Sequence, residues 1–259
     1  MNCKLAFPRV ELLDVPICDL SSADLISVMV DSARREETLL VTYANVYGMN
    51  LAWKQPWFTR FYQDADVVFC DGVGVQWGAR LAGKTLHNRQ TPPDWIESLA
   101  LAAAENELSL FLLGGQPGIA EKAAGWLQSR VPGLVISGCY HGYFEKTPGA
   151  AQNEAVLEKI RIAQPSILLV GFGMPLQEEW IREYREQIRC SVIMTVGALF
   201  DWISGEKKRG PRWMTNNGLE WLSRLILEPG RLWRRYIIGN PLFLLRVLLA
   251  RVGLSKKQN

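Results

Sequence analysis

Histidine is almost missing from this chain: His87 and His141 are the only two in 259 residues. A site built on several imidazoles is therefore a poor fit, as is a Ser-His-Asp relay, and carboxylates become the favoured acid or base candidates. The five cysteines, Cys3, Cys18, Cys70, Cys139 and Cys190, are scattered without a Cys-x-x-Cys pair. That spacing argues against a disulfide framework or a zinc knuckle and for reduced thiols in the cytoplasm. No apolar run reaches the roughly 20 residues that a membrane-spanning helix needs, and Met1 to Asp14 lack the apolar core of a secretory leader. Internal repeats and low-complexity segments are missing as well.

What is present is an ordinary globular composition, 48% hydrophobic and 21% charged, long enough for one large core or two modest ones. The net charge of +3 is unevenly spread. Residues 205–259 hold 12 of the 29 basic residues and 3 of the 26 acidic ones, a balance of +9 that leaves −6 for residues 1–204. An acidic body with a basic end suggests that the end meets phosphates, nucleic acid or a membrane surface. The change of character sets the expected boundary: an α/β body over 1–204 and a helical, basic, aromatic-rich appendage over 205–259. In the appendage Lys207, Lys208, Arg209, Arg212, Arg224, Arg231, Arg234 and Arg235 are interleaved with Trp202, Trp213, Trp221, Trp233 and Tyr236. Pro229 and Asn240-Pro241 are expected to break it into short helices. Leu242 to Val252 is apolar nearly all round except for Arg246 and Arg251. Such helices can lie in a lipid headgroup layer, cap the sheet, or pair with a second copy.

Along the body, short apolar runs alternate with helical patterns. Residues 9–20 suggest a hairpin or edge strand, with Pro16 tolerated only at a margin. Ser21 or Ser22 caps a helix, and strands follow at 38–44, 66–71, 108–113, 134–138, 166–170 and 191–196, with helices between them. A polar loop, His87 to Asp94, precedes the helix that starts at Trp95. This alternation predicts a Rossmann-like, doubly wound, mostly parallel sheet with right-handed crossovers.

Chemistry gathers where these strands end. Asp66-Val67-Val68-Phe69-Cys70-Asp71-Gly72-Val73-Gly74 reads as a buried strand, then a carboxylate, then two glycines that let the chain turn tightly. In open α/β sheets this edge binds ligands. On these residues alone Asp71 is equally a helix cap. Thr42, Tyr43 and Asn45 arrive at another strand end, and Gly114-Gly115 and Gly171-Phe172-Gly173 at two more. Such turns either cradle a diphosphate or simply shape strand-to-helix corners. Gly72, Gly74 and Gly78, with Asp94 some 20 residues on, approximate a dinucleotide fingerprint with its third glycine one position late. That keeps an NAD(P)-dependent oxidoreductase in view, and the basic tail keeps a nucleic-acid-binding protein in view. Asp64-Ala65-Asp66 resembles a metal-binding Asp-x-Asp pair but precedes its strand, so solvated turn carboxylates are the better reading. Arginines would then neutralise a diphosphate leaving group.

Four ordered segments carry a family resemblance: Ala65 to Gly83, Leu110 to Gly118, Leu168 to Trp180, and Val196 to Pro241. Together they resemble bacterial glycosyltransferase family 26, over about residues 10–250. This family includes the N-acetylmannosaminyltransferases of teichoic-acid linkage units and of enterobacterial common antigen. The resemblance implies inverting, metal-independent transfer of a hexose-type sugar, N-acetylmannosamine-like or glucose-like, from a UDP-sugar to a polyprenyl-diphosphate-linked sugar, without a cofactor. Asp71 matches the family's proposed general base. Asn45, Gln177, Arg89, Thr91 and Asp94 match positions around the donor. Thr42 lies one residue away from the family's strand-end threonine, and Pro92-Pro93 replace a glycine-containing turn. Gly114 and Gly115 would approach the diphosphate, and Arg224, Arg231, Arg234 and Arg235 would close over it. The partners implied are the UDP-sugar, the lipid-linked acceptor and an anionic membrane surface at the inner face of the cell membrane. Nucleic acid is not among them, and self-association is left open.

Overall fold

The computed structural model describes residues 7 to 254. Strands β1 (Arg9–Leu12) and β2 (Val15–Cys18) form a hairpin, followed by α1 (Ser22–Arg34), β3 (Leu39–Ala44), α2 (Val46–Lys54), α3 (Pro56–Asp64), β4 (Val67–Cys70) and α4 (Val73–Leu81). Next come α5 (Pro92–Glu105), β5 (Ser109–Gly114), α6 (Ile119–Arg130), β6 (Val135–Tyr140), α7 (Ala151–Ala163), β7 (Ile167–Gly171), α8 (Leu176–Tyr184) and β8 (Val192–Thr195). The chain closes with α9 (Leu199–Ile203), α10 (Arg212–Asn216), α11 (Glu220–Leu227), α12 (Pro229–Trp233), a π-helical turn (Arg234–Ile238) and α13 (Gly239–Arg251).

The strands make one eight-stranded sheet in the order β1-β2-β4-β3-β8-β7-β5-β6. Its β1–β2 pair is antiparallel, whereas β2–β4, β3–β8, β8–β7, β7–β5 and β5–β6 are parallel. The expected mostly parallel α/β architecture is therefore present. Strands β2, β3, β4, β7 and β8 are buried at every position, as parallel strands covered on both faces require. Edge strand β6 keeps partial exposure along its whole length.

Four prolines behave differently from expectation, each for a backbone reason. Pro16 lies inside the sheet, not on its margin: it pairs with Glu11, while β2 registers with β4 only at Cys18 and Phe69, so no bond of that second ladder needs its missing N–H. Pro92 and Pro93 belong to α5 instead of the preceding loop, because a first helical turn has no use for those amides and their fixed φ suits it. Asn240-Pro241 does not break the tail. Helix α13 runs through it, and the wider π-helical turn just before absorbs the hydrogen bond that Pro241 cannot give. Among the described residues no helix is long and apolar enough to cross a membrane. Cys18, Cys70, Cys139 and Cys190 are free thiols, and Cys3 lies outside the described residues.

The chain packs as two compact units, one of Met1–Ser21, Tyr43–Gln90 and Lys208–Asn259, the other of Ser22–Thr42 and Thr91–Lys207. In the first, α4 is the seam on which α2 and α13 are seated. A Cβ on Gly74 would stand 2.5 Å from the Val46 side chain, and one on Gly78 would stand 2.5 Å from two ring carbons of Phe243, which is fully buried. Close helix approach therefore accounts for Gly74 and Gly78 without a bound ligand. In the second unit, buried alanines of α5 and α6, among them Ala100, Ala103, Ala120 and Ala123, allow tight helix packing.

The two kinds of glycine separate in a thermal unfolding experiment. Gly78→Ala forces Phe243 to move and is expected to cost about 1–3 kcal/mol. Gly125 sits in mid-α6 with open space around it, so Gly125→Ala should instead gain up to about 1 kcal/mol. A Gly78→Ala protein with an unchanged melting temperature would contradict the helix seam.

Candidate active site

Strand β4 ends at Cys70, and Asp71 follows with its backbone N–H donated to the Ala44 carbonyl at 2.9 Å. Gly72 then takes φ of 100°, a conformation that strains any side chain, and caps α4. The carboxyl is thus held in the corner between a strand end and a helix start. Asn45 borders the same corner as the N-cap of α2, its Oδ1 accepting the Gly48 N–H at 2.9 Å. With that oxygen occupied, its Nδ2 is the atom that donates to Asp71.

Asp71 is partly buried, and its pKa is pushed up to about 6. Burial is the largest cause and the Glu220 carboxylate adds to it, while Arg224, Arg235 and the Asn45 hydrogen bond pull the other way. All three charged neighbours come from the tail. Glu220 opens α11 and is paired with Arg209 at 3.1 Å. Arg224 lies one turn further along α11, and Arg235 in the π-helical turn rests over the Tyr47 ring at 4.6 Å. Burial and Arg224 hold the Arg235 pKa below its ordinary value.

The four tail arginines therefore divide. Arg224 and Arg235 act on Asp71. Arg231 is exposed and paired with Glu228 in its own helix turn, and Arg234 is exposed over Trp233 at 5.2 Å. Arg89 joins the tail side of the site by donating to the Thr215 carbonyl at 3.2 Å. Its loop is braced from beneath: the Asp19 carboxylate accepts the backbone N–H groups of His87 at 3.1 Å and Asn88 at 2.9 Å, and Gln90 donates to the Leu20 carbonyl at 2.8 Å. The Gln90 N–H reaches the Cys70 carbonyl at 2.8 Å, next to Asp71.

The remaining expected residues belong to the second unit. Gly114, with φ of 159°, lies so close to the Gly171 carbonyl that a Cβ there would overlap it, and Gly115 N–H donates to the same carbonyl at 3.2 Å. The Gly142 N–H reaches the Gly115 carbonyl at 2.8 Å. Gln177 is 0% exposed, and its Oε1 gathers the N–H groups of Gly197 at 3.1 Å and Gly173 at 3.3 Å. Its Nε2 donates to Glu178 at 2.7 Å. Gln177 thus braces the loops after β7 and β8 from inside. Burial pushes its neighbour Glu178 up to about 7. Thr91 is the N-cap residue of α5 and is buried, while Asp94 is exposed in the first turn.

Thr42 corrects its expectation. It is 0% exposed, and its hydroxyl shares a 2.9 Å hydrogen bond with that of Thr195 in the neighbouring strand, so it is a sheet residue and not a sugar contact. Three contributors to the site were missed. Glu220 was one of only three acids in a basic tail, which is a readable signal. Tyr47 and Arg209 left none, because their roles depend on which helix faces which.

A strand-end carboxyl raised toward neutrality, with an amide beside it and arginines in reach of it, is an arrangement able to accept a proton beside anionic oxygens, as a group-transfer enzyme requires. The chain belongs to the glycosyl transferase WecG/TagA/CpsF family, whose sequence model matches residues 10–257, and it is a glycosyltransferase. Among similar proteins are the N-acetylglucosaminyldiphosphoundecaprenol N-acetyl-beta-D-mannosaminyltransferases of Staphylococcus aureus strains NCTC 8325 / PS 47 and MRSA252. Each is 28% identical to it over 218 residues, covering 84% of this chain and 83% of the relative.

The reassignment of Thr42 has a direct test. Thr42→Val keeps the shape but removes the hydroxyl bond, at a cost of about 1–2 kcal/mol. The melting temperature should fall while the KM for the sugar donor stays at the wild-type value; a large rise in KM with unchanged stability would restore Thr42 to the site.

Proposed function

We propose that this protein transfers a hexose-type sugar from a UDP-sugar to a sugar carried on a polyprenyl diphosphate, with inversion and with Asp71 as general base. The observation that carries the reading is the Asp71 corner itself: one carboxyl with a pKa raised to about 6, oriented by Asn45 and flanked by Arg224 and Arg235. In the transfer, an acceptor hydroxyl oxygen attacks the anomeric carbon, its proton passes to Asp71, and the bond to the diphosphate oxygen breaks with UDP leaving. One base suffices and no protein nucleophile is needed, which suits a chain with two histidines. Arg224 and Arg235 would neutralise the departing diphosphate and Arg89 would border the sugar; by the family resemblance Gly114, Gly115, Thr91 and Asp94 are proposed as substrate-binding residues too. The names of the similar proteins support an acceptor of the polyprenyl-diphosphate class. The donor hexose is read by a UDP-release screen over UDP-glucose, UDP-N-acetylglucosamine and UDP-N-acetylmannosamine.

Residues 205–259 form the functional appendage in this reading. They supply Glu220, Arg224 and Arg235 to the base and expose Trp213, Ile226, Leu227, Ile237, Ile238 and Leu245 alongside Arg231 and Arg234. Apolar surface mixed with arginine suits reversible attachment to an anionic bilayer, where the lipid-linked acceptor resides, on the cytoplasmic side of the cell membrane.

Asp71→Asn should lower kcat about a hundredfold to ten-thousandfold while UDP still binds. For the wild type, transfer should fall as pH drops through about 6, the pKa of this carboxyl. The stability effect has the opposite sign. Folded Asp71 holds its proton more tightly than the unfolded chain does, so its ionisation costs stability above about pH 6 and nothing below the ordinary carboxylate range. Asp71→Asn should therefore melt at a higher temperature than wild type at neutral pH, and wild-type turnover in this variant would sink the base assignment. For the tail, the double change Arg231→Ala with Arg234→Ala should weaken binding to phosphatidylglycerol vesicles about tenfold or more and leave turnover of a short-chain, detergent-soluble acceptor intact. Equal vesicle binding would place the membrane contact elsewhere.

A further inference from the structure

Helix α2 carries side chains at a three-residue spacing that reach into the tail helices. Tyr47 lies under the Arg235 guanidinium at 4.6 Å. Asn50 donates from Nδ2 to the Gly239 carbonyl at 2.8 Å and accepts at Oδ1 from the Arg246 Nη1 at 2.5 Å. Trp53 lies beside the Arg246 guanidinium at 5.5 Å. Residues three apart on a helix share a face, so these contacts form one clasp. At its N-terminal end the same helix begins with Asn45, which holds Asp71.

The clasp is chemically unusual. Arg246 is 8% exposed, and no carboxylate among the described residues is within ion-pair distance of it. A guanidinium placed in a helix interface against a neutral amide costs desolvation that a leucine would not, and burial holds its pKa below the ordinary value. What the arrangement supplies is register. Gly239 is the residue at which the π-helical turn passes into α13, and Asn50 grips its carbonyl. Relaxing that turn to α geometry shifts the preceding side chains by one residue, roughly 100° about the helix axis. Arg235 would then leave Tyr47.

We infer that Asn50 is a positioning residue for sugar transfer: by gripping Gly239 and Arg246 it fixes the π-helical turn that holds Arg235 over Tyr47 and within reach of Asp71. The inference rests on the proposed role of Arg235 in the transfer site.

The test is a double-mutant cycle on the full chain, measuring kcat/KM with UDP-glucose or UDP-N-acetylmannosamine, whichever the wild type turns over, and a short-chain polyprenyl-diphosphate N-acetylglucosamine. Asn50→Ala and Arg235→Ala should each lose about tenfold to a hundredfold, and the double variant should be no worse than Arg235→Ala alone, because Asn50 acts through Arg235. The groups facing Asp71 are Glu220, Arg224, Arg235 and Asn45. Losing one cation disfavours the carboxylate, so the acid limb of kcat/KM should move to higher pH in both single variants alike. Amide exchange over residues 234–238 should quicken in Asn50→Ala, and Arg246→Met should reproduce both changes if Asn50→Ala folds poorly. Full additivity, or unchanged exchange with an unmoved acid limb, overturns the inference while leaving Arg235 in the site. Wild-type kinetics in Arg235→Ala removes Arg235 from the site and overturns both.

Discussion

The ionisation of one carboxyl ties the local structure together. Burial and Glu220 press Asp71 toward its neutral form, while Arg224, Arg235 and Asn45 press it toward the charged form. A fully exposed aspartate would be a weak base, and a buried one without cations would stay protonated at neutral pH. The opposing contributions leave a carboxyl that is ionised at neutral pH yet basic enough to accept a proton. Except for Asn45, the charged groups that act on it come from α11 and the π-helical turn. The chemistry of a strand end near residue 70 is therefore set by a segment some 150 residues later in the chain.

That dependence explains why the tail is fastened so firmly. Gly78 lets Phe243 seat against α4, Gly74 lets α2 do the same, and Arg246 is drawn inward to Asn50. Each feature limits how far α13 can slide, and each costs something locally, either in glycine entropy or in a desolvated guanidinium. A tail that served only to touch lipid would need none of them. The inward-facing cations, Arg209, Arg224, Arg235 and Arg246, are engaged within the protein.

The alternation of apolar runs and helical patterns made the parallel sheet legible, and glycine after a strand marked Asp71, Gly114 and Gly171 as strand ends. The failures share a cause. Thr42 was placed by its neighbour in sequence, but a one-residue shift in a strand turns a side chain from one face to the other, and this side faces Thr195. Gly74 and Gly78 looked like ligand glycines because a backbone phosphate site and a tight helix crossing both exclude a Cβ. Pro241 looked like a breaker because a π-helical turn has no signature in composition. Gln177 was expected around the donor, and its hydrogen bonds to Gly173 and Gly197, which brace the strand-end loops from beneath, could not be read from the sequence.

The division among the arginines carries the last step. Arg224 and Arg235 lie in reach of Asp71, whereas Arg231 and Arg234 are exposed, close in sequence to the exposed Trp233, Ile237 and Ile238. Under the proposed function the inward-facing pair would meet the leaving group and the exposed pair lipid headgroups. A lipid-linked acceptor presents its own diphosphate at the bilayer surface, so in that proposal a tail holding both this surface and the donor's diphosphate would fix the distance between the two substrates. Binding the membrane and orienting the acceptor hydroxyl toward Asp71 would then be one geometric event, with the α2–α13 clasp holding that geometry from one turnover to the next.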